Sequence, residues 1–145
     1  MKLTKAQRAT LREMFGGRCA YCGRDLGDRW HADHFEHVER KMKWATAPNG
    51  SRRLVATGEV HRPERDTMEN MMPSCAPCNI DKHSMTLEDW RGKLQRAVEV
   101  LMRNQPTFRH AMRFGLVQDT GAKVEFYFER AAASTSQEKE GAKGS

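Results

Sequence analysis

Apolar and polar positions recur along this chain with two periods, and the change from one to the other divides it into elements. Leu11, Met14 and Phe15 share one face of a 3.6-residue repeat, behind Thr4-Lys5-Ala6-Gln7 with the spacing of a capping box and ahead of Gly16-Gly17. The spacing predicts a short helix that the glycine pair stops. Leu87, Trp90, Leu94, Ala97, Val98 and Leu101 recur at three- and four-residue intervals behind Thr86 and Asp89, which predicts a longer helix over 86–103 whose stripe is core. Residues 107–114, closed by Gly115, predict another short helix. Residues 29–35 and 66–72 read as short strands, and Val124-Glu125-Phe126-Tyr127-Phe128-Glu129 alternates as a half-buried strand does. Between the two short strands, Pro48-Asn49-Gly50-Ser51 marks a turn. Residues 131–145 hold no bulky apolar side chain and are expected to be a disordered tail, because they bury too little to offset the entropy of ordering.

The 145 residues support one modest core, and 38% hydrophobic against 30% charged residues point to a soluble globular chain rather than a multidomain machine. No run approaches the roughly 18 apolar residues of a membrane span. The stretch Met1-Lys2-Leu3-Thr4-Lys5 lacks the apolar core of a secretion signal, so the expected compartment is the cytoplasm, with no membrane partner. A net charge of +6 favours polyanions. Its distribution is more informative: residues 39–65 carry seven basic and three acidic side chains, whereas 66–103 carry five and six. Cations concentrated in one connection suit a surface that tracks phosphates; a solvated basic loop is the plainer alternative.

All four cysteines fall in two Cys-x-x-Cys pairs, Cys19-Ala20-Tyr21-Cys22 and Cys75-Ala76-Pro77-Cys78. Each pair is a knuckle whose two thiolates can reach one ion, and four sulfurs suit a structural, tetrahedral Zn2+ with no open position for water. Two disulfides would need an oxidising compartment that nothing else in the chain suggests, and a redox pair needs no duplicate. Zinc here would tie the N-terminal part to the middle of the chain.

Around the knuckles lie His31-Ala32-Asp33-His34, then Glu69-Asn70-Met71-Met72-Pro73-Ser74-Cys75, then Cys78-Asn79-Ile80-Asp81-Lys82-His83. An Asp-His pair after a first Cys-x-x-Cys, an Asn shortly before the second and Cys-Asn-x-x-Lys after it resemble an HNH endonuclease of the zinc-knuckle type common in phage genomes. The likeness covers about residues 3–103, and the stretch from Thr107 to Leu116 is similar to a tail found in phage members. The chain departs from the pattern at Phe35-Glu36-His37-Val38, where many members have a proline, so the local loop is expected to differ.

The resemblance implies an α+β fold: a small ββα-metal (His-Me finger) HNH domain over 1–103, stapled by a structural four-cysteine zinc site, with flanking helices. A C-terminal extension of short helix and strand, 104–130, precedes the tail at 131–145. One strand would present Asp33 and His34, the second Asn70, and a helix starting near Cys78 would present Asn79. The residue chemistry agrees, since phosphodiester hydrolysis needs an activated water and a hard cation at the scissile phosphate. A carboxylate and an amide oxygen, from Asp33 and Asn79, suit Mg2+ or Mn2+. His34 would be the base, Asn70 would hold the loop that orients it, and His83, four residues beyond Asn79, is a further metal-ligand candidate if the helix continues. His31 reads as a supporting residue on the Asp33 face; His61 and His110 read as surface. Arg40, Lys41, Lys43, Arg52 and Arg53 are the candidate DNA contacts. The expected function is metal-dependent nicking of double-stranded DNA that leaves 5′-phosphate and 3′-hydroxyl ends, with a monomer favoured. If the gene is phage-borne, the compartment is the host cytoplasm. The alternative is a noncatalytic zinc-stapled module that binds nucleic acid.

Overall fold

The computed structural model describes residues 2–133. Thr4 caps the first helix, α1 (Lys5–Glu13): its hydroxyl accepts from the Gln7 N–H at 3.1 Å, and Gln7 Oε1 accepts from the Thr4 N–H at 2.9 Å. Two N–H groups that no helical carbonyl reaches are thereby satisfied, as the capping-box spacing predicts. Beyond Glu13 the chain turns, and Gly17, at φ +80°, returns its N–H to the Arg12 carbonyl. Leu11 is the residue α1 buries. Arg8 ties the helix to the first strand by donating to the Trp30 carbonyl at 2.7 Å, its guanidinium carbon 3.9 Å from the Trp30 ring centroid.

The architecture is mixed α+β, with two small antiparallel sheets beside a cluster of the four cysteines. In the first sheet β1 (Trp30–His34) pairs with β4 (Met71–Cys75), Trp30 opposite Cys75 and His34 opposite Met71. The second strand thus begins later than the expected 66–72. Pro63–Arg65 and Met68–Asn70 are 3-10 turns, leaving Asn70 just ahead of the strand rather than on it. Residues 71–75 win because Met71, Pro73, Ser74 and Cys75 are buried, whereas Asp66 and Thr67 are only half-buried.

The basic connection is not a loop. β2 (Glu39–Thr46) and β3 (Arg52–His61) form a hairpin, closed where Ala47 donates to Ser51 at 2.8 Å and Asn49 accepts from the Ser51 N–H and hydroxyl. The pairing slips between Arg40 and Met42, a bulge that bends the ribbon. Both faces are largely exposed, so no alternation of burial announced it.

α2 (Ala76–Lys82) starts at the second knuckle, with Cys75 as N-cap and Pro77 in its first turn. The helix expected over 86–103 is two helices, α3 (Leu87–Gln95) and α4 (Ala97–Asn104), broken at Arg96 with φ −93° and ψ 0°. Only the first half of the apolar stripe is core: Trp90 is buried and Leu94 packs against it, while Ala97 and Leu101 are exposed. Past the edge of the core α4 turns away and meets α5 (Pro106–Arg113), where Arg109 donates to the Met102 and Arg103 carbonyls at 2.9 and 3.1 Å. Gly115, φ +71°, follows α5 as expected.

The strand expected over 124–129 does not form. Residues 127–133 are helical, so the helix takes in the first residues of the expected tail, and 134–145 lie outside the described residues. The alternation is real but serves a helix start. Phe126 is buried against Tyr21 and stacks on Trp90 with centroids 5.1 Å apart, and Phe128 packs against the same cluster. The Tyr127 and Phe128 N–H groups donate to the Tyr21 and Ala20 carbonyls at 2.9 and 2.8 Å, and Glu129 accepts from the Phe126 N–H. Arg91 of α3 holds Glu129 at 2.9 Å. The first knuckle therefore satisfies this helix's opening amides, and Val124, Phe126 and Phe128 join the core cluster. Gly23 in that knuckle, at φ +75°, sits so close to Tyr127 that an added Cβ would lie 2.8 Å from its ring.

Candidate functional site

The four cysteine sulfurs lie within 4.8 Å of one another, and Cys22 Sγ is 3.8 Å from Cys75 Sγ. Four sulfurs around a zinc at about 2.3 Å would be separated by about 3.8 Å, the edge of that tetrahedron, so the cluster fits the ion and is far too open for a disulfide. Protonation points the same way. Without a cation Cys19 is the favoured thiolate, lowered to about 4 by the hydrogen bond from Cys78. The hydrogen bond to Cys19 in turn raises Cys78, and burial pushes Cys75 up to about 11. Thiolates crowded this closely repel one another, and a divalent ion resolves that repulsion. Among the described residues no other group of three or more His, Cys, Asp or Glu converges in this way.

A second grouping is chemically different. Asp33 and His34 at the end of β1, Asn79 on α2, and His83 line one cleft of about 770 Å³, together with His31, His37, Arg40, Asp66 and residues 56 and 58–60 at the foot of β3. β1 brings the Asp-His pair to the mouth of the sheet, and the helix leaving the second knuckle brings Asn79 across from it. Asp33, His34, Asn79 and His83, scattered over 50 positions in sequence, thus share one space, and Asn70 is not among the residues that line it.

Asp33 is held tightly. Its Oδ2 accepts from the Tyr21 hydroxyl at 2.6 Å and lies 3.0 Å from Lys82 Nζ, while Oδ1 makes no hydrogen bond among the described residues. Lys82, 1% exposed, also donates to the His34 carbonyl at 3.2 Å, so one side chain grips both residues of the pair. Burial, and then the Asp33 carboxylate beside it, hold the Tyr21 phenol above its ordinary range, which keeps it a donor. His34 Nε2 is 2.9 Å from Asp66 Oδ1. The positioning partners Tyr21, Lys82 and Asp66 carried no local signal, apart from Lys82 being the lysine of Cys-Asn-x-x-Lys.

Among the described residues Asn70 makes no hydrogen bond to the His34 ring. Its amide nitrogen donates to the Glu36 and Arg65 carbonyls at 2.8 and 2.6 Å, its side-chain oxygen accepts from the Glu36 N–H at 2.8 Å, and its carbonyl accepts from the Phe35 N–H at 2.7 Å. It clamps the backbone just after the Asp-His pair. His83 does not continue the Asn79 face, because α2 ends at Lys82 and His83 takes φ +49°, a conformation few non-glycine residues adopt. It reaches the cleft from a turn instead, with Nδ1 3.0 Å from the Ser84 hydroxyl. His37, in the stretch where the chain departs from the family pattern, lines the cleft as well. His61 and His110 are exposed, as expected.

The hairpin cations divide by face. Arg40 lines the cleft, and Arg52 sits on the Trp44 side with its guanidinium carbon 5.3 Å from that ring's centroid. Lys43 and Arg53 alternate onto the opposite face, and Lys41, at the bulge, lies 3.5 Å from Glu59. Among the described residues no helix is long and apolar enough to cross a membrane. Protein-family models, curated proteins and solved structures contain no match to this chain.

Proposed function

We propose that the protein is a metal-dependent DNA endonuclease of the HNH kind, with β1, β4 and α2 as a ββα-metal core and the cysteine cluster as its structural zinc site. The observation that carries this reading is the meeting of Asp33, His34 and Asn79 in one cleft beside the four cysteines. Asp33 Oδ1 and the Asn79 amide oxygen are hard donors suited to Mg2+ or Mn2+. When bound there, such an ion supplies charge stabilisation at the scissile phosphate and at the leaving oxygen.

The chain's own residues do the rest. Tyr21 and Lys82 fix Asp33 through Oδ2, leaving the other oxygen directed for ligation. Asp66 fixes the His34 ring through Nε2, so that Nδ1 can take the proton of a water whose oxygen attacks phosphorus. The 3′ oxygen departs and is protonated from solvent, giving 5′-phosphate and 3′-hydroxyl ends. Asn70 keeps the strand end that carries His34 from moving. Double-stranded DNA is the proposed partner, drawn by Arg40 at the cleft and the cations of the hairpin.

A noncatalytic nucleic-acid-binding module is the second reading, favoured by the cationic hairpin, whose surface does not need the cleft. Supercoiled plasmid incubated with zinc-loaded protein and Mg2+ or Mn2+ decides between them. The endonuclease converts it to open-circle or linear DNA in a manner that chelation stops; plasmid retarded on a gel but unbroken would replace the first reading with the second.

A further inference from the structure

One face of the hairpin is apolar and exposed, and none of the described residues covers it. Trp44 stands opposite Leu54, and Met42 opposite Ala56, on the same side of the ribbon. Trp44 is 59% exposed, Leu54 51% and Met42 49%. The other two tryptophans, Trp30 and Trp90, are buried, so Trp44 is placed outside by its strand rather than by shortage of core. An exposed aromatic-aliphatic strip on a thin two-stranded ribbon is costly in water and marks a surface that something covers.

Two features identify the occupant. The strip opens onto the cleft: Ala56, on the same face and two residues from Leu54, is part of the cleft lining, so the Trp44–Leu54 pair stands roughly 7 Å farther along the strand. The strip is also bracketed by guanidiniums, Arg40 at the cleft end and Arg52 beside the Trp44 ring, and residues 39–61 carry five Lys and Arg against two Glu. A protein partner or a second copy would have to bury these cations; a phosphate backbone neutralises them. An aromatic ring flanked by cations is the surface on which successive bases stack, and paired bases inside a duplex do not offer that face.

We propose that this face binds unpaired bases of the DNA strand that leaves the cleft, Trp44 stacking on a base while Arg40 and Arg52 neutralise the neighbouring phosphates. This rests on the endonuclease reading and deepens it: the preferred substrate is DNA with an unpaired segment within about two nucleotides of the cleft, at roughly 3.4 Å per nucleotide.

The test uses the zinc-loaded full chain without Mg2+, a blunt duplex, and a forked duplex with the same paired stem and two unpaired arms. The fork is expected to bind at least about tenfold more tightly and to quench tryptophan emission, which only the exposed Trp44 can report. Trp44→Ala should lose the quench and about tenfold or more of the affinity for the fork, with little change for the blunt duplex, and Trp44→Phe should restore most of it. Because Trp44 is exposed, the variants are expected to fold, and their zinc content and melting temperature check this. Equal affinity of wild type for fork and blunt duplex, or of Trp44→Ala and wild type for the fork, overturns the proposal while leaving plasmid cleavage intact. Sedimentation as a dimer that Trp44→Ala dissociates assigns the face to a second copy and overturns it too. Failure to bind either DNA, together with an unbroken plasmid, removes the endonuclease reading itself.

Discussion

Lys82 Nζ, buried under the end of β1, lies 3.0 Å from Asp33 Oδ2. Removing one partner of a buried pair leaves the other without compensation, at a cost of about 3–5 kcal/mol. Lys82→Met is therefore expected to lower the stability of the zinc-loaded protein by that amount, read from denaturant unfolding, and to abolish cleavage. In an Asp33→Asn background the same change should cost clearly less, because no carboxylate is stranded. Equal costs in the two backgrounds, measured by a double-mutant cycle, would show that Lys82 stabilises independently of the Asp33 charge, through packing and its bond to the His34 carbonyl.

On the proposed mechanism, His34→Ala should lose about 10²- to 10⁴-fold in cleavage rate while keeping DNA affinity and zinc content, because it removes the proposed base and leaves the hairpin cations in place. Asp66→Asn should lose less, since the ring remains and only its orienting carboxylate is gone. Nicking rates on supercoiled plasmid check both; wild-type rates for His34→Ala would remove it from the chemistry.

The cysteine cluster joins residues 53 apart. Cys19→Ser or Cys75→Ser is expected to unfold most of the chain, since a structural zinc contributes on the order of 10 kcal/mol. A chelator strong enough to strip zinc should do the same to the wild type. Elemental analysis alongside circular dichroism reads this, and a folded, active, zinc-free protein would contradict it.

An acid-sensitive share of stability is expected at Glu129. The hydrogen bond from Arg91 holds its carboxyl below the ordinary 4.5. A carboxyl with a depressed folded pKa adds stability that is complete above its unfolded value and disappears as the pH falls through the folded one. Acid below about pH 4.5 should thus loosen the helix over 127–133 from α3. Thermal melts from pH 6 downward should fall less steeply for Glu129→Gln than for wild type, a difference that separates this pair from acid loss of zinc.

On the hairpin, Arg40 and Arg52 face the cleft side whereas Lys43 and Arg53 face away. Replacing the first two with Ala should lower the slope of log affinity against log salt by roughly 0.9 for each phosphate no longer neutralised. Replacing the second two should change it less. An equal effect of both pairs would mean that DNA wraps the ribbon instead of lying along one side.

What the sequence made legible was local. The helix carrying Asn79 follows from the family resemblance, whereas the knuckles, the capping box at Thr4 and the short strand over 29–35 are each written within a few adjacent residues. The partners that hold the site are not: Tyr21 meets Asp33 across 12 positions, Asp66 meets His34 across 32, and Lys82 meets the His34 carbonyl across 48. The hairpin was hidden for a different reason, since a ribbon exposed on both faces has no buried side to impose a period of two. At 124–129 the period was present and misled. Phe126 and Phe128 reach the Tyr21 cluster from the start of a helix whose amides the first knuckle receives, a tertiary contact that overrides the local pattern.

The slip in register between Arg40 and Met42 separates the foot of the hairpin, which walls the cleft, from its outer ribbon. The outer ribbon supplies nothing to the cysteine cluster, to Asp33 and His34, or to the aromatic core around Tyr21. Given the proposed roles, it is an exchangeable head: a different ribbon of the same length, grafted between residues 43 and 55, would redirect which DNA architecture is chosen and leave the cutting machinery in place. On those roles target choice could drift quickly, because most of the proposed selecting residues, Arg40 excepted, lie on one stretch of chain while the proposed cleaving residues and the core lie elsewhere. A library restricted to that stretch would sample specificity without sampling stability.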